Sequence, residues 1–494
     1  MRDLRYNEVR QTSSHNAFQR PEGIYDQVVY WRVRSLEIDL HRGKPGRDAL
    51  KKDWYVYHVA VVDPDTSVDR FSGFLRICRG IQRAIPQHEV ITAFLDIKDP
   101  FHKTATASQS AAVFDGLLID VLGEDHIYRP RDLLARDPEA GSLQGAVAAQ
   151  RWPTLDALKG KFLFVLTGGG NDLATYARPG TANGRVAFLS TSVSHHRDVP
   201  AEPHIVFYNM NSHKVRFAKK VHEAGLVSRA YYVDTPERWQ SAVDYDCHHI
   251  ATDHVNTRVN PWSRTRRSTG FPFHALRGYT PSMTEAGEVC GVWARSKDIW
   301  GKRDSFLYHY RDCSDYIDNQ YSFYISGPNS EVDDWVKGGV MARSSLAANS
   351  PYFGVFRMGE HHGIRIQYRV SPKGPTMAEE KRLGPEGLFY VDTLVFVRLS
   401  LSQNGHRARA WGSVDGHEWT ELGLYEFPEP LKYQGIGVSS HGVAGGVKFL
   451  FGVPGGGPRP EFNRERFIGK VEASDRGWVD WDGTRRWRVT GFAD

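Results

Sequence analysis

The chain has 494 residues, of which 40% are hydrophobic and 24% charged, and its formal net charge at pH 7 is +5. This composition is globular: it excludes a mainly disordered, collagen-like or coiled-coil chain, and at roughly 100–200 residues per domain it predicts two or three domains. The charge comes from 63 basic and 58 acidic residues. That balance is too even to indicate a nucleic-acid partner, and no run of about 18 apolar residues indicates a transmembrane segment.

Strand-like and helix-like segments alternate over the first 255 residues. The predicted strands are 35–41, 54–59, 90–98, 161–167, 204–210, 229–234 and 248–253. The predicted helices are 68–85, 105–122, 213–224 and 236–245, the last with Thr235 as its cap and Pro236 in its first turn. This alternation indicates a parallel α/β barrel or a doubly wound sheet. We favour a TIM-type barrel, because no glycine-rich nucleotide-binding fingerprint follows an early strand.

The pattern changes after a boundary segment at 255–273, which is rich in Pro, Asn, Ser and Arg. Residues 363–370 alternate with period two, which predicts a half-buried strand with Arg369 on its solvated face. Residues 407–422 predict a hairpin with an Asp-Gly turn. Helical patterns are absent from this half of the sequence, so we predict an all-β sandwich.

The cysteines and the first residues leave the cellular compartment open. Cys78 falls on an apolar helical face, which predicts a buried thiol, whereas Cys290 and Cys313 are close enough in sequence to pair. The start of the chain lacks the apolar region of a signal peptide. This is typical of a cytoplasmic chain, or of a mature chain given an initiator Met.

Polar side chains gather where predicted strands of the first half end. They are His15 and Asn16 in SSHN, Glu37 and Asp39 in LEIDLH, His58 in WYVYH, and Asp96 and Lys98 in FLDIKD. Residues two apart on a strand point to the same face, so Glu37 and Asp39 should face the barrel interior or its mouth. In a parallel barrel, functional side chains gather at the carboxyl ends of the strands.

This set of groups predicts a cation site beside an acid–base pair. Three carboxylates and an amide oxygen in one cavity would repel one another without a cation, and oxygen ligands favour Ca²⁺ or Mg²⁺ over zinc. Two histidines beside such a cation can move protons near neutral pH. Taken singly, each cluster also fits a helix cap, a solvated strand face or an exposed strand end, so the prediction depends on their joint occurrence.

The order SSHN, LEIDLH, WYVYH, FLDIKD resembles the phosphatidylinositol-specific phospholipase C-like phosphodiesterases, and among them the secreted calcium-dependent bacterial enzymes. The resemblance covers roughly residues 5–255 and is specific in the first hundred. It implies that His15 and His58 are catalytic and that Asn16, Glu37, Asp39 and Asp96 bind the metal. The metal-free bacterial branch has a basic residue where an acidic one stands here, which favours the metal-dependent branch.

The implied activity is cleavage of an inositol phospholipid or a related phosphodiester. A substrate hydroxyl next to the phosphate attacks phosphorus, and a cyclic phosphate results. We expect His15 to act as the base or to stabilise the phosphate and His58 to act as the acid, with the reverse assignment left open. Lys98 contacts phosphate or forms a structural salt bridge. Asn209, Asp234 and Asp253 follow later strands and are candidates for substrate binding, although the two aspartates also fit helix caps.

Two other activities fit the same residues. A glycerophosphodiesterase or phospholipase D-like lyase would also pair two histidines with an acidic E-x-D, and the presence of a cyclic product would separate them. A glycoside-cleaving enzyme acting on an inositol- or sugar-containing glycan is the second alternative. A binding protein with a decayed site is disfavoured, because the whole set of histidines, carboxylates and amide is intact.

The second half resembles the concanavalin-like (laminin G-like) sandwich modules appended to secreted hydrolases. The segments that carry this resemblance are 336–346, 395–401, 411–423 and 435–441. It implies an accessory domain that binds carbohydrate or packs on the catalytic domain, with Trp293, Trp300, Trp411 and Trp419 as candidates for sugar stacking. We therefore predict a catalytic barrel at 1–268 and an accessory sandwich at 269–494, in a protein that the resemblance places outside the cell.

Overall fold

The structure is a computed structural model, which describes residues 4–60, 62–63, 65–200, 202–265, 277–278, 289–315, 319–327, 333–359, 363–380, 396–456, 462, 464–470, 475–481 and 485–489. The chain divides into two compact units. The first comprises Met1–Arg20, Gln27–Arg79 and Gln87–Pro281, and the second comprises Pro21–Asp26, Gly80–Pro86 and Ser282–Asp494. The predicted boundary between residues 268 and 269 lies outside the described residues and stays a prediction.

Parallel strands form the centre of the first unit. They are β1 (Val9–Ser14), β2 (Ser35–His41), β4 (Ile91–Ile97), β5 (Phe162–Gly168), β6 (Phe188–Ser192), β7 (Phe207–Asn211), β8 (Val227–Tyr231) and β9 (His249–Thr252), with the short β3 (Tyr55–Val56) and β10 (Arg277–Gly278) beside them. β1 pairs in parallel with both β2 and β9, which closes the eight longer strands into a barrel within the described residues. The predicted α/β barrel is confirmed.

Two barrel strands, β1 and β6, have no counterpart among the predicted strands. All six residues of β1 (VRQTSS) are buried although most are polar, so the segment carries no apolar signal. One of its polar side chains has a partner on the neighbouring strand: the Ser35 hydroxyl donates to that of Ser13 at 2.8 Å. The predicted strand 54–59 contributes only β3, which pairs antiparallel with the end of β2.

Four of the eight described helices of the N-terminal half, the second, third, seventh and eighth in chain order, lie within the predicted segments, whereas the other four have no predicted counterpart. They are α1 (Ile24–Val29), α2 (Phe71–Ala84), α3 (Ala111–Leu122), α4 (Pro130–Leu134), α5 (Leu143–Gln150), α6 (Gly170–Tyr176), α7 (Ala218–Glu223) and α8 (Pro236–Asp244). The cap of α8 is confirmed, since the Thr235 hydroxyl accepts from the Arg238 amide. In the part of the chain that the structure describes, none of the helices has both the length and the apolar character needed to cross a bilayer.

The described strands of the second unit form two antiparallel sheets. They are β11 (Val289–Arg295), β12 (Phe306–Asp312), β13 (Asn319–Ser326), β14 (Lys337–Arg343), β15 (Tyr352–Met358), β16 (Ile364–Arg369), β17 (Met377–Glu380), β18 (Phe396–Ser402), β19 (Arg407–Ser413), β20 (Thr420–Glu426), β21 (Tyr433–Ser439), β22 (Val447–Gly452), β23 (Arg464–Ile468), β24 (Arg476–Trp481) and β25 (Arg485–Val489). One sheet runs β20-β19-β18-β13-β22-β11-β24-β25 and the other β17-β16-β15-β14-β21-β12-β23.

The two sheets pack face to face, which confirms the predicted sandwich. The Phe449 ring of β22 lies where a side chain on Gly338 of β14 would have to stand, so the glycine admits the ring. Further along, the rings of Tyr368 in β16 and Tyr425 in β20 have centroids 4.2 Å apart. These contacts join one sheet to the other through apolar side chains, as in a sandwich core.

The two faces predicted for the strand at 363–370 are wrong at three positions: Gln367 and Arg369 of the predicted polar face are buried, and Val370 of the predicted apolar face is 40% exposed. Arg369 is fully buried, and its guanidinium lies 2.7 Å from the carboxylate of Asp304. Arg343 of β14 reaches the same carboxylate at 2.8 Å and is equally buried. A buried arginine needs an ion partner from elsewhere in the chain, and such a partner is invisible to a pattern of alternating residues.

The other local predictions for this region have mixed outcomes. The hairpin of β19 and β20 is confirmed, with Gly416 at a φ of 70° in the turn. The pairing of Cys290 with Cys313 is wrong: neither forms a disulfide, and both are buried, one in β11 and the other just after β12, a strand of the opposite sheet. Cys78 in α2 is buried as predicted.

A buried histidine in the barrel makes stability depend on pH. The His249 ring packs on Phe94 and Tyr6, with centroids 5.3 and 5.8 Å away, and Nε2 lies 3.1 Å from the Tyr6 hydroxyl. Burial, reinforced by the charge of Arg229, lowers the pKa of His249 to about 3 from an ordinary value of 6.5. When the pH falls below the ordinary pKa of 6.5, this histidine is protonated in the unfolded chain but stays neutral in the folded chain. The stability that the neutral histidine contributes above that pH is therefore lost on acidification.

We expect this histidine to remove about 2 kcal/mol of stability between a pH of about 7.5 and a pH of about 5. Urea unfolding at both values, compared between the wild-type protein and His249→Gln, measures the contribution. The variant should be less stable at the higher pH, because it loses packing, but its stability should fall less on acidification. An equal fall in both proteins would contradict the expectation.

Candidate active site

The carboxylates at the ends of β2 and β4 lie side by side. Asp39 and Asp96 are register partners across the two strands. Glu37 is two residues before Asp39 on the same face, whereas the buried Leu36 and Ile38 point to the other face. Glu37, Asp39 and Asp96 each place a carboxylate oxygen within 4.8 Å of the others. The structure thus brings together the three acidic residues that the sequence singles out.

Glu37 has a permanent counter-ion, Arg229 of β8. Nη2 of this arginine lies 2.6 Å from Oε2 of Glu37, and its side chain is completely buried. The Asn16 backbone N–H donates to the same oxygen at 3.2 Å. Burial alone would raise the pKa of Glu37, but Arg229 and His15 together lower it, so this carboxylate is held ionised.

Asp39 and Asp96 share a different cation, Lys98. Nζ of Lys98 lies 2.6 Å from Oδ2 of Asp96 and 3.2 Å from Oδ2 of Asp39. Nδ1 of His58 lies 2.9 Å from the same Asp39 oxygen, within hydrogen-bond distance. Burial raises the pKa of Asp39, and neither His58 nor Lys98 offsets this fully. The hydrogen bond to Asp39 raises the pKa of His58.

His15 follows β1 and lies beside Glu37, whereas His58 lies beside Asp39. Its Nδ1 is 2.9 Å from Oδ1 of Asp253, and its Nε2 is 3.7 Å from Oε2 of Glu37. The ring packs edge-on against Tyr232 with centroids 4.6 Å apart and lies parallel to Tyr231 at 6.3 Å. The imidazole is therefore fixed by a carboxylate on one nitrogen and by aromatic rings on its faces and edges.

The two histidines have the same arrangement. Each Nδ1 lies 2.9 Å from an aspartate oxygen, Asp253 for His15 and Asp39 for His58. A carboxylate at Nδ1 holds the proton on that nitrogen in a neutral ring, which presents Nε2 to a substrate. Two imidazoles oriented in this way around a group of carboxylates can transfer protons at a bound molecule.

The donor set fits a calcium ion. The oxygens of Glu37, Asp39 and Asp96 are close enough to share one cation, and among the described residues this group consists of carboxylates alone. Burial raises the pKa of Asp39, so a cation bound beside it would stabilise its charged form. Asn16, 6% exposed, adjoins the cluster through its backbone bond to Glu37. The ligand roles of these residues stay predictions.

The remaining predicted residues contact the protein itself. Asn209 of β7 accepts from Arg229 at 3.0 Å, and so belongs to the support of Glu37. Asp234 accepts from the Asp253 amide at 2.7 Å and from the Thr252 hydroxyl at 3.0 Å. Asp253, beyond its contact with His15, lies 2.9 Å from Arg20. A role of these three side chains in substrate binding stays a prediction.

Sequence reasoning missed two arginines of this site. Arg229 is the first residue of a predicted strand, and Arg20 lies in a segment for which no element was predicted. A buried parallel strand is normally apolar, so an arginine inside one is a signal that a buried carboxylate faces it. The sequence alone does not say which carboxylate, because Glu37 and Arg229 lie on β2 and β8, which are far apart along the chain.

Comparison with known proteins finds a family match within the N-terminal half of the chain. Residues 44–255 match the family described as phosphoinositide phospholipase C, Ca²⁺-dependent. No curated protein matches the chain.

Among solved structures, the calcium-dependent phosphoinositol-specific phospholipase C from a Pseudomonas species is 23% identical, with 51% of this chain and 92% of that chain covered and a TM-score of 0.45. A Ca²⁺-dependent phosphatidylinositol-specific phospholipase C from Streptomyces antibioticus is 19% identical, with 52% and 96% covered and a TM-score of 0.43. A glycerophosphodiester phosphodiesterase from Parabacteroides distasonis is 10% identical, with 52% and 97% covered and a TM-score of 0.30.

Proposed function

We propose that this protein, whose N-terminal half is a phosphodiesterase barrel of the phospholipase C type, cleaves an inositol phospholipid or a closely related phosphodiester with the help of Ca²⁺. The observation that carries the proposal is the pair of histidines, each oriented through Nδ1 by an aspartate, around three carboxylates. A phosphodiester that carries a neighbouring hydroxyl needs one base and one acid, and this pair supplies both.

The chain's own residues account for the proton transfers. Asp253 holds the Nδ1 proton of His15, so Nε2 is free to take the proton of the attacking substrate hydroxyl. The hydroxyl oxygen then bonds to phosphorus, the bond from phosphorus to the lipid oxygen breaks, and His58 protonates that oxygen. A cyclic inositol phosphate and a diacylglycerol result. The reverse assignment of the two histidines is the alternative, because each has an aspartate oxygen at its Nδ1.

Glu37, Asp39, Asp96 and Asn16 are the residues that would hold the calcium ion. When bound, Ca²⁺ supplies neutralisation of charge on the phosphate oxygens and a lower pKa for the hydroxyl. Mg²⁺ has the same oxygen preference and needs stricter octahedral geometry, so it is the second candidate. Secretion, which the family resemblance implies, would expose the site to a Ca²⁺-rich medium.

The test is incubation of the purified protein with phosphatidylinositol vesicles, followed by phosphorus NMR. We expect a cyclic inositol phosphate signal in the presence of CaCl₂ and a rate at least about 10²-fold lower with a chelator, because the charge developing at phosphorus is then unbalanced. Parallel reactions with MgCl₂ decide between the two cations.

The products separate the alternatives in the same experiment. A glycerol phosphate without a cyclic intermediate would favour a glycerophosphodiesterase. The absence of any change at phosphorus in phosphatidylinositol, glycerophosphoinositol and glycerophosphocholine would contradict the proposal. Release of sugar from an inositol-linked glycan would then support the glycoside-cleaving alternative.

We further propose that the second unit binds carbohydrate through Trp300, one of the four predicted tryptophans. Its side chain is 47% exposed. The rings of the other three tryptophans contact neighbouring side chains. The ring centroids of Trp293 and Trp478 are 6.4 Å apart. The guanidinium of Arg398 lies 3.8 Å from the ring centroid of Trp419 and 6.0 Å from that of Trp411. An exposed indole is the type of group on which a sugar ring stacks.

Binding of the full chain to an array of immobilised glycans, including inositol-linked ones, tests this proposal. We expect Trp300→Ala to weaken binding about tenfold, equivalent to about 1.4 kcal/mol. The matched control is Trp335→Ala, since this tryptophan is 41% exposed but faces the guanidinium of Arg365 at 5.2 Å. Equal binding by wild-type protein and Trp300→Ala, or no binding by the wild-type protein, would contradict the proposal.

A further inference from the structure

Lys98 lies where a cation is expected to bind. Its Nζ is within hydrogen-bond distance of Asp96 and in ion-pair contact with Asp39, two of the three carboxylates of the site. These are the oxygens that a calcium ion would ligate at about 2.3–2.6 Å. The ammonium and the divalent ion therefore compete for the same carboxylate oxygens.

The other counter-ion of the site differs from Lys98 in mobility. Arg229 is fully buried, and its guanidinium is also bound by Asn209 and packed 5.0 Å from the Phe94 ring. The Lys98 side chain is 28% exposed and extends on a flexible four-carbon stem. Glu37 thus has a fixed partner, whereas Asp39 and Asp96 have a partner that can move away.

We propose that Lys98 is an internal counter-ion that pairs with Asp39 and Asp96 in the absence of metal and leaves them when a divalent cation binds. This inference rests on the proposed function, since it concerns the same cation site. It has two consequences. The lysine weakens metal binding, because its displacement opposes each binding event. The displaced ammonium then stands beside the cation, where an anionic phosphodiester would attract it.

The competition also couples metal and substrate. A phosphodiester that engages the displaced ammonium favours the conformation in which the carboxylates are free, and so favours metal binding. By thermodynamic linkage, bound metal raises the affinity for the diester by the same factor as the diester raises the affinity for the metal. A calcium affinity lowered in this way suits a medium where Ca²⁺ is abundant, since extracellular modules bind it with dissociation constants of about 10⁻⁴–10⁻³ M.

Calorimetric titration of CaCl₂ into the full chain tests the proposal. We expect Lys98→Met to bind Ca²⁺ about tenfold or more tightly than the wild-type protein, because an opposing charge is removed. Lys98→Arg keeps the charge and should stay within about threefold of the wild-type affinity. The matched control is Lys161→Met, which changes the net charge equally, at a lysine that donates to the backbone carbonyl of Asp125; its affinity should equal that of the wild-type protein.

The variant Asp96→Asn tests whether the heat measured on adding CaCl₂ comes from binding at this site. Its calcium signal should be lost or strongly weakened, and binding that persists unchanged in this variant would overturn the proposal. An affinity of Lys98→Met equal to or below that of the wild-type protein, including no saturable binding by either, would also overturn it. These outcomes are separate from the proposed activity: cleavage of phosphatidylinositol without tighter binding by Lys98→Met refutes only the competition, and tighter binding without cleavage refutes only the substrate.

Discussion

Replacement of His15 by Ala is expected to lower kcat on phosphatidylinositol vesicles by about 10³-fold, the scale of positioned acid–base catalysis. Asp253→Asn should lower it by about 10²-fold, because an amide nitrogen at that position no longer selects the tautomer with its proton on Nδ1. Both effects should appear in kcat more than in KM, since the groups act on a proton that moves during the reaction. Initial rates from phosphorus NMR at saturating CaCl₂ measure them.

A matched control separates this role from a general loss of structure. His195 is also a histidine beside an aspartate, with Nδ1 3.9 Å from Asp198, but its side chain is 66% exposed and lies outside the site. His195→Ala should retain wild-type kcat. Far-ultraviolet circular dichroism should show that all three variants are folded. Retention of more than roughly a tenth of wild-type kcat by His15→Ala would exclude the histidine as the base or acid.

The sequence predicted those parts of the site that depend on local geometry. Glu37 and Asp39 are two residues apart on one strand, so alternation alone places both on one face. Asp96 lies on the next barrel strand at the same level, which follows once the two segments are taken as parallel neighbours. Local geometry is not enough to predict the roles of the two histidines. Their positions follow from lying at strand ends, but their catalytic roles follow only from the family resemblance.

What the sequence could not predict is pairing over long distances. Arg229 is 192 positions beyond Glu37, and nothing in either segment indicates that the two residues are partners. The barrel nevertheless places their charged groups 2.6 Å apart. The burial of Arg369 was missed for the same reason, because its partner Asp304 belongs to a different part of the sandwich. A buried charge is tolerated only beside its partner, so its environment is a property of the tertiary fold.

Arg229→Met is expected to destabilise the protein by about 3–5 kcal/mol, because it leaves the Glu37 carboxylate buried without its counter-ion. Activity should also be lost, since Glu37 is then poorly placed and has a higher pKa. Urea unfolding followed by circular dichroism measures the first effect. The control is Arg407→Met: Arg407 lies 2.7 Å from Glu426 in an ion pair whose carboxylate is 69% exposed, and such pairs contribute no more than about 1 kcal/mol.

The double variant Arg229→Met/Glu37→Gln separates stability from function. With the buried charge removed, most of the lost stability should return, because burial of an amide costs much less free energy than burial of an unpaired carboxylate. Calcium-dependent activity should not return, since a proposed ligand of the cation is absent. A double variant no more stable than Arg229→Met would show that the arginine stabilises the fold through its other contacts, with Asn209 and Phe94, rather than through Glu37. Recovered activity would show that Glu37 is dispensable, and the cation site would then consist of Asp39, Asp96 and Asn16.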